Sequence, residues 1–284
     1  MTSARQGLVS AHIAAFLFGL TGVLGALIHS TPAIITFGRA FFAVLALAIA
    51  SFLLRSPITK NINRHTLKIL FFSGLSLAIH WFTFFIAIKT AGVAIATLGF
   101  ASFPAFITLL ERLLLKEQIG KREWFLLALV LIGLILVTPA PSTDPGNTSA
   151  SGLIWGIISG FAFAILAVMN RKNAVNLNPV QLAFWQNLVV AALTLPFIFT
   201  HIHLLAPRDY FWIAVLGVMC TALSHYLFVF SLRSLTARTA GLIIALEPVY
   251  AIAVAWILFA EAPSERMILG GILIITAAVF PKKA

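Results

Sequence analysis

The feature that most constrains this chain is a succession of long apolar stretches separated by short polar connections. Scanned with a window of about 19 residues, the sequence yields ten of them, at 8–28, 33–54, 67–88, 93–110, 124–139, 152–170, 180–199, 211–232, 240–259 and 267–280. Only 10% of the 284 residues are charged, against about 25% in an ordinary soluble domain. A water-soluble core cannot hide this much apolar surface, so most of it faces lipid or other apolar side chains inside a bilayer. Within hydrocarbon the backbone must bond to itself, which leaves helices and closed barrels. No run shows the period-two alternation of a membrane barrel. The predicted fold class is therefore an all-α membrane protein with ten transmembrane helices. The weakest cut lies between the third and fourth spans, where only Lys89 to Gly92 serve as the turn.

Basic residues give an orientation. If both termini are cytoplasmic, the inner side holds Arg5, Arg55, Lys60, Arg64, Lys68, Arg112, Lys116, Lys121, Arg122, Arg171, Lys172, Arg233, Arg238, Lys282 and Lys283, while the outer side holds Lys89, Arg208 and Arg266. Fifteen against three is the asymmetry of the positive-inside rule and supports an even number of crossings. The formal net charge of +11 is thus a topology signal. It does not predict a nucleic-acid partner, because no basic face with interleaved aromatics exists. The single cysteine, Cys220, lies within an apolar span, which excludes an internal disulfide and a two-cysteine metal site. The first apolar stretch has no small-residue cleavage site followed by a soluble domain and is expected to be a retained helix.

An internal repeat runs at an offset of 144 to 147 residues. Gly7-Leu8 matches Gly152-Leu153, and Thr31-Pro32 with Phe37 matches Asn178-Pro179 with Phe184; Phe84, Lys89, Pro104 and Glu117 fall on Phe228, Arg233, Pro248 and Glu261. The expected division is a five-helix repeat over 1–139, an outer linker over 140–151 within the Pro/Ser/Thr-rich segment that starts at Thr138, and a second repeat over 152–284. An odd number of crossings per half turns the second copy upside down, the inverted-repeat plan of many secondary transporters.

On these residues the chain resembles two EamA-type domains of the drug/metabolite transporter superfamily. The likeness rests on Phe37-Gly38-Arg39-Ala40, on His80-Trp81-Phe82-Thr83-Phe84-Phe85, on Phe103-Pro104-Ala105 followed by Glu117, and on Glu247-Pro248-Val249 followed by Glu261, in that order and spacing. The resemblance covers nearly the whole chain. It implies ten helices, both termini cytoplasmic, and export of amino acids or related small metabolites across the inner (plasma) membrane. It does not fix one solute, nor proton coupling or oligomeric state. A proton-coupled exporter of drugs or cations is the alternative within transport; a channel or membrane-embedded enzyme is the alternative outside it.

Ionisable groups inside a span cost a few kcal/mol each and mark function by default. Arg39 can clamp a carboxylate bidentately or tie helix ends by donating to backbone carbonyls. Glu247 can bind a proton, pair with Arg39, or serve a structural ion pair. The repeat puts Gln186 near the mirror position of Arg39 and Phe103 at that of Glu247, so the halves are not equivalent there. His80, Trp81 and Phe84 on the third span recur as His225, Tyr226 and Phe228 on the eighth. With Trp185, Gln186, Asn187 and Phe16 they are expected to line a substrate cavity of aromatic walls and few polar tips, although an aromatic stripe also suits plain packing. Pro104 and Pro248 free the carbonyls of Phe100 and Ile244 and are expected to bend their helices as paired hinges. No GxxxxGK[ST], HExxH or GxSxG motif is present. Neither catalytic residues nor a cofactor nor a metal is expected, and the predicted partners are a small-molecule substrate and the lipid bilayer.

Overall fold

The computed structural model describes residues 3–60, 62–137, 149–173, 177–199, 205–259 and 262–279. Most of the expected linker lies outside the described residues, as do Glu261, Lys282 and Lys283. All regular structure among the described residues is helical. The first half contains α1 (Ala4–Leu27), α2 (Pro32–Leu53), α3 (Arg64–Phe100), α4 (Phe103–Leu114) and α5 (Lys121–Val137). The second contains α6 (Ser149–Asn173), α7 (Pro179–Thr194), α8 (Pro207–Gly217), α9 (Ser224–Ser231), α10 (Ala237–Ile244), α11 (Glu247–Phe259) and α12 (Glu265–Val279).

Among the described residues, eight helical segments are long and apolar enough to cross a membrane: Ala4–Gly25, Pro32–Leu53, Arg64–Gly92, Ile95–Leu114, Ala150–Asn173, Pro179–Phe197, Pro207–Ser231 and Ala237–Val254. Against the ten expected, α5 and α12 contribute 17 and 15 described residues, each ending where the described residues end. They pack on each other so closely that a Cβ on Gly133 would stand 2.7 Å from the Gly270 carbonyl oxygen.

Local sequence explains where helices start. At Thr31-Pro32 and Asn178-Pro179, the matched pairs of the repeat, the polar side chain accepts from the Ile34 and Val180 amides at 3.4 and 2.9 Å. Proline then occupies N1, where its missing N–H costs nothing. The third and fourth crossings are separated at Gly92, whose φ of 79° and ψ of 168° fall in a region open essentially to glycine alone. Nothing lies within 4 Å of where its Cβ would be, so backbone strain rather than a clash opposes a side chain. Gly92→Ala is expected to cost about 1–3 kcal/mol, read as a lower unfolding midpoint in detergent; an unchanged midpoint would contradict this account of the turn.

The helix pairing has a symmetry of its own. α3 packs along α6 and α9 along α1, while α2 packs on α7 and α5 on α12. Exchanging α1 with α6, α2 with α7, α3 with α8–α9 and α5 with α12 maps this set onto itself. Small residues permit the closest seam. Gly99 on α3 faces Leu153 and Gly156 on α6, and a Cβ there would lie 2.5 Å from the Leu153 carbonyl oxygen. In a bilayer, where burial gives no drive between helices, such backbone approach lets packing hold them.

Both proline sites interrupt their crossings. α3 ends at Phe100 and α4 restarts at Phe103, with Pro104 in its first turn; α10 ends at Ile244 and α11 restarts at Glu247, followed by Pro248. The chain therefore breaks twice, at matched places, where the two halves meet.

Candidate functional site

A cavity lies at these two breaks. Its wall takes Phe18 and Thr21 from α1, Arg39 from α2, Leu77, His80, Trp81, Phe84 and Phe100 from α3, Phe163 and Leu166 from α6, His225 and Phe228 from α9, and Ile244 and Glu247 from the second break. The space open to the centre of a water-sized sphere is about 30 Å³, enough for about two waters. Aromatic rings make up much of the wall. His80 stacks on Phe100 with centroids 5.0 Å apart, and Phe163 stands 5.1 Å from His80 and 5.5 Å from Phe228.

Arg39 is only 1% exposed. Its Nε donates to Thr221 Oγ1 at 2.9 Å and its Nη2 to the Cys220 carbonyl at 3.3 Å. Both acceptors lie in a π-helical turn, Val218–Leu223, between α8 and α9. A π turn interrupts the regular ladder and turns a carbonyl outward. The Thr221 hydroxyl spends its own hydrogen on the Leu216 carbonyl at 2.9 Å, so it meets Arg39 as an acceptor. The guanidinium carbon sits 4.0 Å from the centroid of the Trp81 ring, a favourable cation–π arrangement. Gly217 fixes this approach: a Cβ there would lie 2.8 Å from the Arg39 carbonyl oxygen.

Glu247 opens α11, where the positive end of the helix dipole favours its carboxylate. No ion pair of 4.0 Å or less joins it to Arg39, so the two groups line one cavity without direct contact. His80 Nδ1 lies 2.7 Å from Ser159 Oγ, and His225 Nδ1 lies 3.2 Å from Asn187 Nδ2. The Thr21 hydroxyl and His225 Nε2 are buried without a hydrogen-bond partner.

The structure thus brings together Arg39, His80, Trp81, Phe84, His225, Phe228 and Glu247. Five residues expected at the cavity stand off its wall. Trp185 Nε1 donates to the Ile58 carbonyl at 2.8 Å, fastening α7 to the loop after α2. Gln186 is buried and donates to Asn170 Oδ1 on α6 at 2.6 Å. Tyr226 packs in the seam of α2 and α7 with Ala43, Leu47 and Ala183, because successive helical residues point about 100° apart and His225 takes the cavity side. Asn187 touches the site only through His225, and Phe16 is 42% exposed with its ring edge-on to Tyr250. Sequence reasoning missed Phe18, Thr21, Leu77, Phe100, Phe163, Leu166 and Ile244. For Phe18 and Thr21 a weak signal exists, since they share a face of α1 three residues apart.

Two segments of the sequence, 5–138 and 150–280, each match the family described as EamA-like transporters. The chain belongs to the EamA-like transporter family. Membership of this EamA family accords with the drug/metabolite transporter superfamily and points to transport rather than enzymatic catalysis. An uncharacterized transporter of Archaeoglobus fulgidus is 26% identical over 277 residues, 97% of this chain and 96% of its own length. A protein of Rickettsia felis named as an S-adenosylmethionine uptake transporter is 28% identical over 266 residues, 90% of this chain and 84% of its own. One protein of known crystal structure shares the EamA chain's fold with a TM-score of 0.79, covering 98% of this chain and 96% of that one at 18% identity. That last likeness concerns fold alone.

Proposed function

We propose that this protein is a secondary transporter that exports amino acids or related small metabolites across the inner membrane by alternating access. The observation that carries this reading is the cavity shared by Arg39 and Glu247 without an ion pair between them. A charge held inside a protein without a partner is costly. A zwitterion that lays a carboxylate on Arg39 and an ammonium on Glu247 supplies each with a counter-charge in direct contact, and an α-amino acid is the simplest such solute. S-adenosylmethionine, for which Rickettsia relatives are named, also carries an amino-acid end. Export follows the resemblance to amino acid and metabolite exporters; those relatives are named for uptake, and in a secondary transporter the gradients decide.

Ten crossings, with α5 and α12 as the fifth and tenth, make each half five helices long and set the second upside down relative to the first. The repeats over 1–139 and 152–284 then exchange roles about the midplane, with both termini cytoplasmic by the distribution of basic residues. About 30 Å³ is far too little for an amino acid, so loading requires the helices to part. Pro104 and Pro248 at the two breaks are the proposed hinges.

The test is uptake of a panel of radiolabelled amino acids, with S-adenosylmethionine included, into proteoliposomes containing wild type, His80→Ala or Glu247→Gln. Saturable uptake with mutual competition, lost in the folded variants, is expected. Glu247, a carboxylate facing an aromatic cavity without a paired cation, also suits a second reading, a proton-coupled exporter of cations. In that case no amino acid moves, a cationic dye moves under a pH gradient, and Glu247→Gln stops it. Flux without saturation would indicate a channel, and chemical conversion of the solute an enzyme.

A further inference from the structure

We propose that Ser159 and Asn187 are positioning residues that hold the two cavity histidines in opposite tautomers, so that the site offers one imidazole acceptor, His80 Nε2, and one imidazole donor, His225 Nε2–H. His80 and His225 are counterparts in the repeat, 145 residues apart, and both line the cavity. Their partners are not counterparts. The repeat offset puts Ala40 opposite Asn187 and Ala14 opposite Ser159, so each half fixes its histidine with a group that the other half lacks.

The tautomers follow from counting hydrogens. Asn187 Nδ2 lies 2.8 Å from the Ala183 carbonyl oxygen and 3.2 Å from His225 Nδ1. A carbonyl only accepts, so the atom facing it is the amide nitrogen and not the amide oxygen. Both amide hydrogens are then committed, His225 Nδ1 must accept, and the ring proton resides on Nε2, which is buried without a partner. Ser159 Oγ lies 2.9 Å from the His80 carbonyl oxygen and 2.7 Å from His80 Nδ1. A hydroxyl has one hydrogen, and two oxygens 2.9 Å apart repel unless it lies between them, which assigns it to the carbonyl. His80 Nδ1 must therefore donate, which in the neutral ring leaves a bare lone pair on Nε2.

Identical tautomers would present the same edge from both halves, and a solute could bind either way round. Opposite tautomers give the duplicated site a polarity: an acceptor on the solute is drawn to His225 and a donor to His80. This consequence rests on the cavity being the solute site proposed above; the tautomer assignment does not.

The experiment is nitrogen NMR on protein labelled with ¹⁵N-histidine in detergent micelles, in which protonated and bare ring nitrogens differ in shift. His80→Gln and His225→Gln identify the two rings. The expected spectrum has His225 protonated on Nε2 and His80 on Nδ1, and Asn187→Asp, whose carboxylate only accepts, moves a proton to His225 Nδ1. Equal tautomers in the wild type, or His225 protonated on Nδ1, would overturn the assignment whether or not any solute is transported. In transport, Asn187→Leu is expected to raise KM about 2- to 10-fold, the value of one hydrogen bond, with kcat little changed. Wild-type KM in that variant would overturn the orienting role while leaving the tautomers standing.

Discussion

Replacing Arg39 by alanine is expected to lower transport at subsaturating solute about 100-fold, the loss of a charge-assisted, forked contact of about 3 kcal/mol. The guanidinium is anchored from behind by the Thr221 hydroxyl and the Cys220 carbonyl and lies flat over Trp81, so its geometry is fixed before a solute arrives. Preorganisation of this kind concentrates the effect in binding. Arg39→Lys keeps the charge but neither the planar fork nor the face that stacks on the indole, and is expected to recover less than a tenth of the wild-type rate, on the order of 1.4 kcal/mol short. Stability should change much less than transport. The variant loses two hydrogen bonds, yet it also removes a charge that is expensive to hold away from water. Initial uptake rates in proteoliposomes, normalised to folded protein, check this; wild-type KM in Arg39→Ala would remove the residue from the site.

Glu111→Ala is expected to destabilise the fold by about 3–5 kcal/mol, the usual cost of breaking a buried ion pair by removing one partner. The Glu111 side chain is fully buried at the end of α4. Its Oε1 accepts from the Ala237 and Arg238 amides at 2.8 and 3.3 Å, and its Oε2 stands 3.2 Å from Arg238 Nε. One carboxylate thus caps α10 and neutralises an arginine on it, binding the first half of the chain to the second. Glu117 and Glu123 reach the same arginine at 3.0 and 3.4 Å, but both are more exposed and count for less. Glu111→Gln keeps the cap acceptor and should lose less than Glu111→Ala. The double variant with Arg238→Ala should lose less than the sum of the single changes, because no orphaned charge is left. Denaturant unfolding in micelles gives these differences, and an additive double variant would contradict a coupled pair.

Much of the fold is legible in the hydropathy and the repeat, because hydrocarbon forces backbone bonds inward and leaves helix length and loop charge as readable signals. The turn at Gly92 and the interruptions before Pro104 and Pro248 are written in residue types with few conformational options. α5 and α12 are the exception; fewer of their residues are described than of the eight other spans, and ten crossings remain a proposal. In the cavity, Arg39, His80, His225 and Glu247 are legible because ionisable groups within a span must point somewhere polar. The apolar wall is not, since Phe100 or Phe163 in a cavity reads like any phenylalanine facing lipid. Gln186 and Trp185 mislead for the opposite reason: their polar tips find a neighbouring side chain or carbonyl and need no cavity. The Glu111–Arg238 tie was invisible because sequence reading places both at span edges, 127 residues apart, and only the packing of α4 on α10 brings them together.

The central claim, a carrier that alternates around a zwitterion site, is tested most directly by counterflow. Proteoliposomes are loaded with an excess of unlabelled amino acid, and entry of a trace of the same labelled amino acid is followed without any ion gradient. Alternating access predicts a transient, saturable overshoot of label that grows with internal solute and disappears in Arg39→Ala. Label that equilibrates without overshoot, at a rate indifferent to what the vesicles contain, would contradict it.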